Sequence, residues 1–391
     1  MLSKFKAILF FLCISFTSFA QQKNLVPYVD PFIGTGGHAH TFPGACYPFG
    51  MMQLSPDTRL TGWDGCSGYH YDDTIIYGFT HTHLSGTGCS DYGDILLMPI
   101  AAPPTKNPNK AEKIVLGSLT SVIYSYSSPF VHRSEKASPG YYSVVLKNGN
   151  IKAELTVGEY AGIHRYTYSN NDLCYIVLDL KHRDEVLSSR LKIVSDTEIC
   201  GYRQSKAWAR NQWVYFDIRF SKPIFTTDIF YNDTCFGNKH EDSLSKNIKA
   251  LFSFEHGSTI LVKVGISAVS IENAKENLDH DIPGWNFDGT LRKTQKAWND
   301  YLNKIEVTSK NDSLLTTFYT ALYHTAIHPS LYTDVNGQYR GRDMKTHTAK
   351  DFSMYTVFSI WDTYRALHPL LTVIDSSIDR QFIQIFLKQY E

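Results

Sequence analysis

The sequence predicts a multidomain β + α chain, with a β-sandwich first and helices after it. Two observations carry this expectation. Between about residue 115 and residue 270, short runs alternate apolar and polar residues, with Asn-, Gly- and Ser-rich turns and no helical run between them. After "HDIPGWNFDGT" the period changes, and apolar residues recur three and four apart. A length of 391 residues, 43% hydrophobic and 19% charged, suits two folded domains.

Taken in chain order, residues 1–20, "MLSKFKAILFFLCISFTSFA", read as a signal peptide. Lys4 and Lys6 precede an apolar run from Ala7 to Phe16, followed by a small-residue exit at Ser18 and Ala20. The run is too short for a membrane span, so the mature chain is expected to be exported and to carry no span after cleavage. The sandwich, residues 21–285, is read from "YYSVVLKNG", "IKAELTVGEY", "IHRYTYS", "CYIVLDL", "VYFDIRF" and "STILVKVGISAV". In "VYFDIRF" the alternation places Val214, Phe216, Ile218 and Phe220 on one face. A helical linker, residues 286–310, follows, with Ala297, Trp298, Tyr301 and Leu302 on one side of a helix. A second domain then opens with the capping residues Asn311 and Asp312. It sets Leu314, Leu315, Phe318 and Leu322 at helical spacing and stops that helix at Pro329. The last segment repeats the spacing with Ile378, Phe382, Ile385 and Phe386. It reaches Glu391 with no terminating glycine, proline or polar tail, so this domain, residues 311–391, is expected to be truncated.

Composition narrows the partners. Lysine plus arginine and aspartate plus glutamate are both 38, and cleavage of the leader takes the basic count to 36, so there is no basic excess to neutralise phosphates. Nucleic acid is not an expected partner. Of the seven cysteines, Cys46, Cys66, Cys89, Cys174, Cys200 and Cys235 lie beyond the leader. None forms a C-x-x-C pair, and six allow 15 disulfide pairings, which are left open. Cys174 sits in a strand pattern, where a buried thiol is the simplest reading. Aromatic residues reach 14%, a bias that suits sheet packing and also stacking on sugar rings.

The chemistry concentrates in "GWDGCSGYHYDDTIIYGFTHTHLSGTGCSDYGD", residues 62–94, a stretch with few aliphatic residues that does not look like a core strand. The histidines of H-x-H spacing, His38 with His40 and His81 with His83, could each offer two ligands to zinc from an extended strand. With no third ligand defined, hydrogen-bonded histidines bracing a glycine-rich loop are the preferred reading. The glycines of "FIGTGGHAHTFPGACYPFGM" do not match a nucleotide fingerprint. Two Trp-Asp dipeptides, Trp63–Asp64 and Trp361–Asp362, each pair an aromatic plate with a carboxylate able to accept from sugar hydroxyls. By chemistry alone Asp362 is equally a helix cap or the partner of Arg365.

The ordered strings "YVDPFIGTGGHAHTFPGACYPFGM", "GWDGCSGYHY", "GFTHTHLSGTGC", "SPGYYSVVL", "ELTVGEYAGIHRYTY", "FYTALYHTAIHP" and "FSIWDTYRALHPLL" resemble the N-terminal half of glycoside hydrolase family 92. That resemblance implies an exported, calcium-dependent, inverting exo-α-mannosidase of bacterial periplasm, cell surface or medium, acting on N-glycan or mannan-type α-mannosides. Its fold would be a β-sandwich (supersandwich), a helical linker and a six-hairpin α/α toroid, of which this chain holds the start. It implies that Trp63 lines the subsite of the leaving sugar. Gly36, Gly37 and Cys66 would stand near the terminal mannose, and Asp362 would grip its hydroxyls beside Trp361. His70, His81 and His83 would contact substrate or brace loops. It places the general acid, the general base and most calcium ligands beyond Glu391, leaving no catalytic residue here and the metal ligands unknown. The alternative expectation is a catalytically silent mannose-binding or scaffold protein.

Overall fold

In the strand Gln212–Phe220 the burial alternates as the residues do, and Val214, Phe216, Ile218 and Phe220 all face the interior. This strand belongs to the larger of two antiparallel sheets in the computed structural model. The structure describes residues 22–390 except 105–107, 109–110, 117–118, 170–172, 232–233, 237–241 and 256–257. The expected signal peptide lies outside the described residues.

The larger sheet has nine strands in the order Asp242–Ser245, Glu185–Ile193, Glu198–Lys206, Gln212–Phe220, Thr259–Ser267, Ala161–Thr167, Ile151–Val157, Tyr141–Leu146 and Lys136–Ser138. The other has eight: Ala45–Cys46, Gln53–Asp57, Gly78–Thr80, Leu96–Ile100, Cys174–Asp179, Ile248–Phe254, Ile224–Tyr231 and Thr234–Cys235. Their facing side chains form one apolar core that includes Leu54, Phe79, Leu97, Ile176, Phe216 and Phe252. Two packed antiparallel sheets sharing one core make the sandwich.

One member of the eight-stranded sheet comes from the glycine-rich stretch that does not read as core. Gly78–Thr80 is wholly buried within the "GWDGC…DYGD" stretch, pairing Ser55 with Thr80 and Asp57 with Gly78. The expectation that this stretch holds no core strand is therefore corrected. Its polar groups are buried because they satisfy one another.

Helices begin at α1 (Ile271–Asp281), capped by the Ser270 hydroxyl, which accepts from the Asn273 amide. Leu278 seals the outer face of the nine-stranded sheet with Ala161, Ile163 and Phe287. Next comes α2 (Phe287–Leu302), whose Trp298 indole donates to the Cys46 carbonyl at 2.6 Å, followed by α3 (Asp312–His324), capped by Asn311. The buried face of α3 is Leu315, Tyr319, Leu322 and Tyr323. Leu314, expected inside, is 61% exposed. Short helices α4 (Ile360–Thr363) and α5 (Leu367–Ile374) lead into α6 (Ser376–Tyr390), which buries Ile378, Phe382 and Ile385. No helix among the described residues is long and apolar enough to cross a membrane.

The second apolar core is shared across the chain. Leu25, Val26, Phe42 and Phe49 pack with Trp298, Tyr323, Ile327 and Phe382. Backbone bonds stitch the same junction, Phe49 N–H to Ala326 O at 2.6 Å and Leu331 N–H to Phe49 O at 2.8 Å. This union fixes the sandwich loops against the helical segment.

Candidate saccharide site

Three loops converge at one end of the eight-stranded sheet, around residues 32–42, 58–73 and 83–94. Their anchor is Asp57, the last residue of Gln53–Asp57, which has no exposed surface. Its carboxylate accepts from the Thr80 hydroxyl at 2.8 Å. It lies 2.9 Å from His182 Nε2 and 3.3 Å from His83 Nε2, with Arg183 Nη1 at 3.7 Å. Burial alone would raise this carboxyl, but His83 and His182 outweigh it and hold the group well below the usual carboxylate range. Gly68 fits against this carboxylate only because it lacks a side chain. A Cβ there would meet Asp57 Oδ1 at 2.0 Å, and its φ is +87°.

Arg183 ties two of the loops together. Its Nη2 donates to the carbonyls of Gly65 and Cys66 at 2.5 and 2.8 Å and to Ser90 Oγ at 3.1 Å. The Cys66 thiol is buried and donates inward to the Trp63 carbonyl, so the side chain presents no surface to a ligand. The third loop is held by His70, whose Nδ1 accepts from the Asp72 amide while Nε2–H donates to the Gly37 carbonyl at 3.0 Å. Gly36 is half-buried and Gly37 exposed, and their amides carry no hydrogen bond among the described residues.

The arrangement raises Trp63 as a plate. Its ring is 62% exposed, lies over Gly88 and meets the edge of His40 at 4.8 Å. A Cβ at Gly88 would fall 2.2 Å from the ring. Asp64 beside it is engaged by His38 Nδ1 at 2.8 Å, and that hydrogen bond lowers its pKa. A polar pit of about 360 Å³ opens next to this pair, bounded by Gly37, Arg59, His70 and Asp72.

The histidines turn inward. His81 and His83 have no exposed surface, and His70 is 3% exposed. The H-x-H rings do not converge: His38 meets Asp64 and His40 meets Trp63, while His81 faces Ile95 O and His164, and His83 faces Gln53 O. Among the described residues, no group of three or more His, Cys, Asp or Glu side chains is placed to hold a metal ion. No chemical step is routed through zinc or through the calcium implied by the resemblance. Cys46, Cys66, Cys89, Cys200 and Cys235 are free thiols.

Trp361 is 78% exposed on α4, and Asp362 is exposed beside it, accepting from the Ser359 hydroxyl at 2.5 Å. No ion pair joins Asp362 to Arg365, whose Nε donates to the Tyr364 hydroxyl instead. No hydrogen bond, ion pair or ring contact among the described residues links Trp361 or Asp362 to the Gly36 and Trp63 loops. The two dipeptides stand as separate exposed aromatic–carboxylate units. The residues that sequence reasoning missed are Asp57, His182, Arg183 and Gly88. The run "KHRDE", charged directly after a buried strand, is the signal that could have found two of them.

The fold is thus a β-sandwich joined to a helical segment, with an exposed indole over glycine-rich loops. The models of the glycosyl hydrolase family 92 N-terminal domain and catalytic domain match residues 28–267 and 273–391. A family 92 alpha-mannosidase from Bacteroides thetaiotaomicron superposes with a TM-score of 0.86 at 34% identity, covering 94% of this chain and 50% of that one. A family 92 inverting mannosidase from the same organism gives 0.76 at 26% identity, covering 89% and 46%. A protein of Arthroderma benhamiae described as an uncharacterized secreted glycosidase is 26% identical over 355 residues, 82% of this chain and 44% of its own length. The chain belongs to glycosyl hydrolase family 92. It spans about half the length of these relatives.

Proposed function

We propose that this chain is part of an exported, inverting exo-α-mannosidase that trims terminal mannose from N-glycan or mannan-type glycans. The observation that carries the reading is the Trp63 plate, held face-out by Gly88, His40 and the Arg183 bonds, in a member of this family. An indole face suits the C–H face of a pyranose, and the open amides of Gly36 and Gly37 suit hydroxyl oxygens. In this reading Trp63 stacks on the leaving sugar, and Gly36 and Gly37 stand near the terminal mannose. Asp362 accepts hydroxyl protons of the terminal mannose, with Trp361 beside it. Inversion needs a general acid at the glycosidic oxygen and a general base on water, about 6.5–9.5 Å apart. Neither role is assigned to a residue of this chain.

The test is proton NMR of hydrolysis by the complete enzyme acting on an α-linked mannobiose. β-Mannose is expected as the first-formed product, and first release of α-mannose, or no release of mannose, overturns the proposal. The 391-residue chain alone is expected to bind mannosides without hydrolysing them.

A further inference from the structure

A second cavity, of about 440 Å³, lies where the sandwich meets the segment after α3. Asp91 and Tyr92 of the 83–94 loop form part of its wall, and it shares no lining residue with the pit beside Trp63 or with the Trp361–Asp362 unit. Its size falls within the range of small-molecule sites, about 300–1,000 Å³.

The walls combine aromatic plates with amide and guanidinium edges. Trp208 stands at the tip of the turn between the strands Glu198–Lys206 and Gln212–Phe220, 48% exposed. Trp213 is half-buried on the wall, stacked with Tyr215 at 5.7 Å and 14°, and Arg340 lies 5.6 Å from its ring centre. Tyr332 closes the opposite side. Gln212 spends its amide N–H on Asp94 at 2.7 Å, leaving its carbonyl oxygen as an acceptor. Asn211 accepts from Gln204 at 2.8 Å, leaving its NH₂ as a donor. Arg342 is exposed, with no hydrogen bond or ion pair among the described residues.

We infer that this cavity is a second saccharide site, taking one or two hexose units of a mannoside. Trp208 supplies the stacking face, Trp213 is held on the wall by Tyr215 and Arg340, and Asn211, Gln212 and Arg342 address hydroxyls. Free donors and acceptors beside the Trp208 indole suit a pyranose, which has C–H faces and a hydroxyl rim. The choice of a mannoside rests on the proposed function. The site itself rests on the cavity.

The test is titration of the 391-residue chain with an α-linked mannobiose, followed by tryptophan fluorescence, for the wild type and for Trp208→Ala, Arg342→Gln and Trp63→Ala. Trp208 is exposed at a turn, so Trp208→Ala is expected to fold, and a thermal midpoint checks this. Two binding phases are expected in the wild type. Trp208→Ala and Arg342→Gln should each weaken one phase about tenfold, and Trp63→Ala should weaken only the other. A single phase that Trp63→Ala removes and Trp208→Ala leaves intact overturns the second site and leaves the proposed function standing. A single phase that Trp208→Ala removes and Trp63→Ala leaves intact supports the second site and removes the Trp63 loops from saccharide binding. If Trp208→Ala lowers the midpoint of the complete enzyme without changing saccharide binding, the cavity is filled by the protein itself and the inference fails.

Discussion

His81 Nε2 lies 2.9 Å from His164 Nε2, across the two sheets of the sandwich. Each ring's other nitrogen is also engaged: His81 Nδ1 with the Ile95 carbonyl at 2.6 Å and His164 Nδ1 with the Tyr166 hydroxyl at 2.7 Å. With both rings neutral, only one proton order satisfies all three contacts. Tyr166 O–H donates to His164, His164 Nε2–H donates to His81, and His81 Nδ1–H donates to Ile95. Both rings are then neutral; a further proton on His81 Nε2 would face the His164 Nε2–H, and one on His164 Nδ1 would turn the Tyr166 hydroxyl from donor to acceptor.

This relay predicts acid lability. Burial lowers His81 to about 4 and His164 well below 6.5, and burial likewise lowers His324 and His328 to about 4. Between pH 6.5 and about 4 the unfolded chain therefore binds more protons than the folded one, so stability rises with pH there. The stabilisation is complete above 6.5 and is lost as pH falls towards 4. Thermal midpoints across pH 4–7.5 should drop steeply below 6.5, and a flat profile would contradict neutral buried rings.

Arg183 predicts a loop-specific loss. Arg183→Met leaves the Gly65 and Cys66 carbonyls without their donor and should cost about 1–3 kcal/mol. Limited proteolysis should show earlier cleavage within residues 62–68 than in the wild type. Unchanged denaturation and unchanged cleavage would remove Arg183 from its role as the tie between the loops.

For Trp63, the exposed ring means that Trp63→Ala should barely change folding stability. In the complete enzyme it should cost about 1–3 kcal/mol of transition-state binding on a disaccharide, and far less on a mannoside with a small non-sugar leaving group. Equal losses on both substrates would show that the ring supports the fold instead of the leaving sugar.

At Asp362 the geometry separates two outcomes. The carboxylate is exposed and has no arginine partner, so Asp362→Asn should leave the thermal midpoint nearly unchanged. If it accepts two sugar hydroxyls at about 1.5–3 kcal/mol each, kcat/KM of the complete enzyme should fall at least about a hundredfold. A lowered midpoint with normal kinetics would return the residue to a purely structural role.

How far the sequence disclosed this structure depended on whether burial followed hydrophobicity. In Gln212–Phe220 it did, and the inward set was readable from alternation alone. Asn311 likewise announced α3, because an Asn side chain before an apolar helix has few better uses than capping. Gly78–Thr80 and the Asp57 hub were not readable. There the interior is polar, and its stability comes from hydrogen bonds between residues more than 100 positions apart, such as His182 with Asp57. In α3 the apolar count favoured Leu314, while packing chose Tyr319 and Tyr323, whose rings reach the second core. The exposed Trp63 was legible as a candidate from its residue type. The glycine beneath it was not, since only the folded distance shows why Gly88 has no side chain.

The shared second core also sets an order of assembly. Leu25 donates its amide to Asn299 across 274 positions, and Asp30 donates its amide to Thr320 across 290. As the chain emerges from a ribosome or a translocation channel, the segment bearing Val26, Phe42 and Phe49 must wait, unburied, until α2 and α3 arrive. Hairpins between, such as Tyr141–Leu146 with Ile151–Val157 and Glu198–Lys206 with Gln212–Phe220, pair neighbours close in sequence, so they gain a head start over the very segment that precedes them. The first part made is thus among the last to settle, and the glycine-rich loop at residues 32–42, carried on that segment, takes its final position only when the helices close over it.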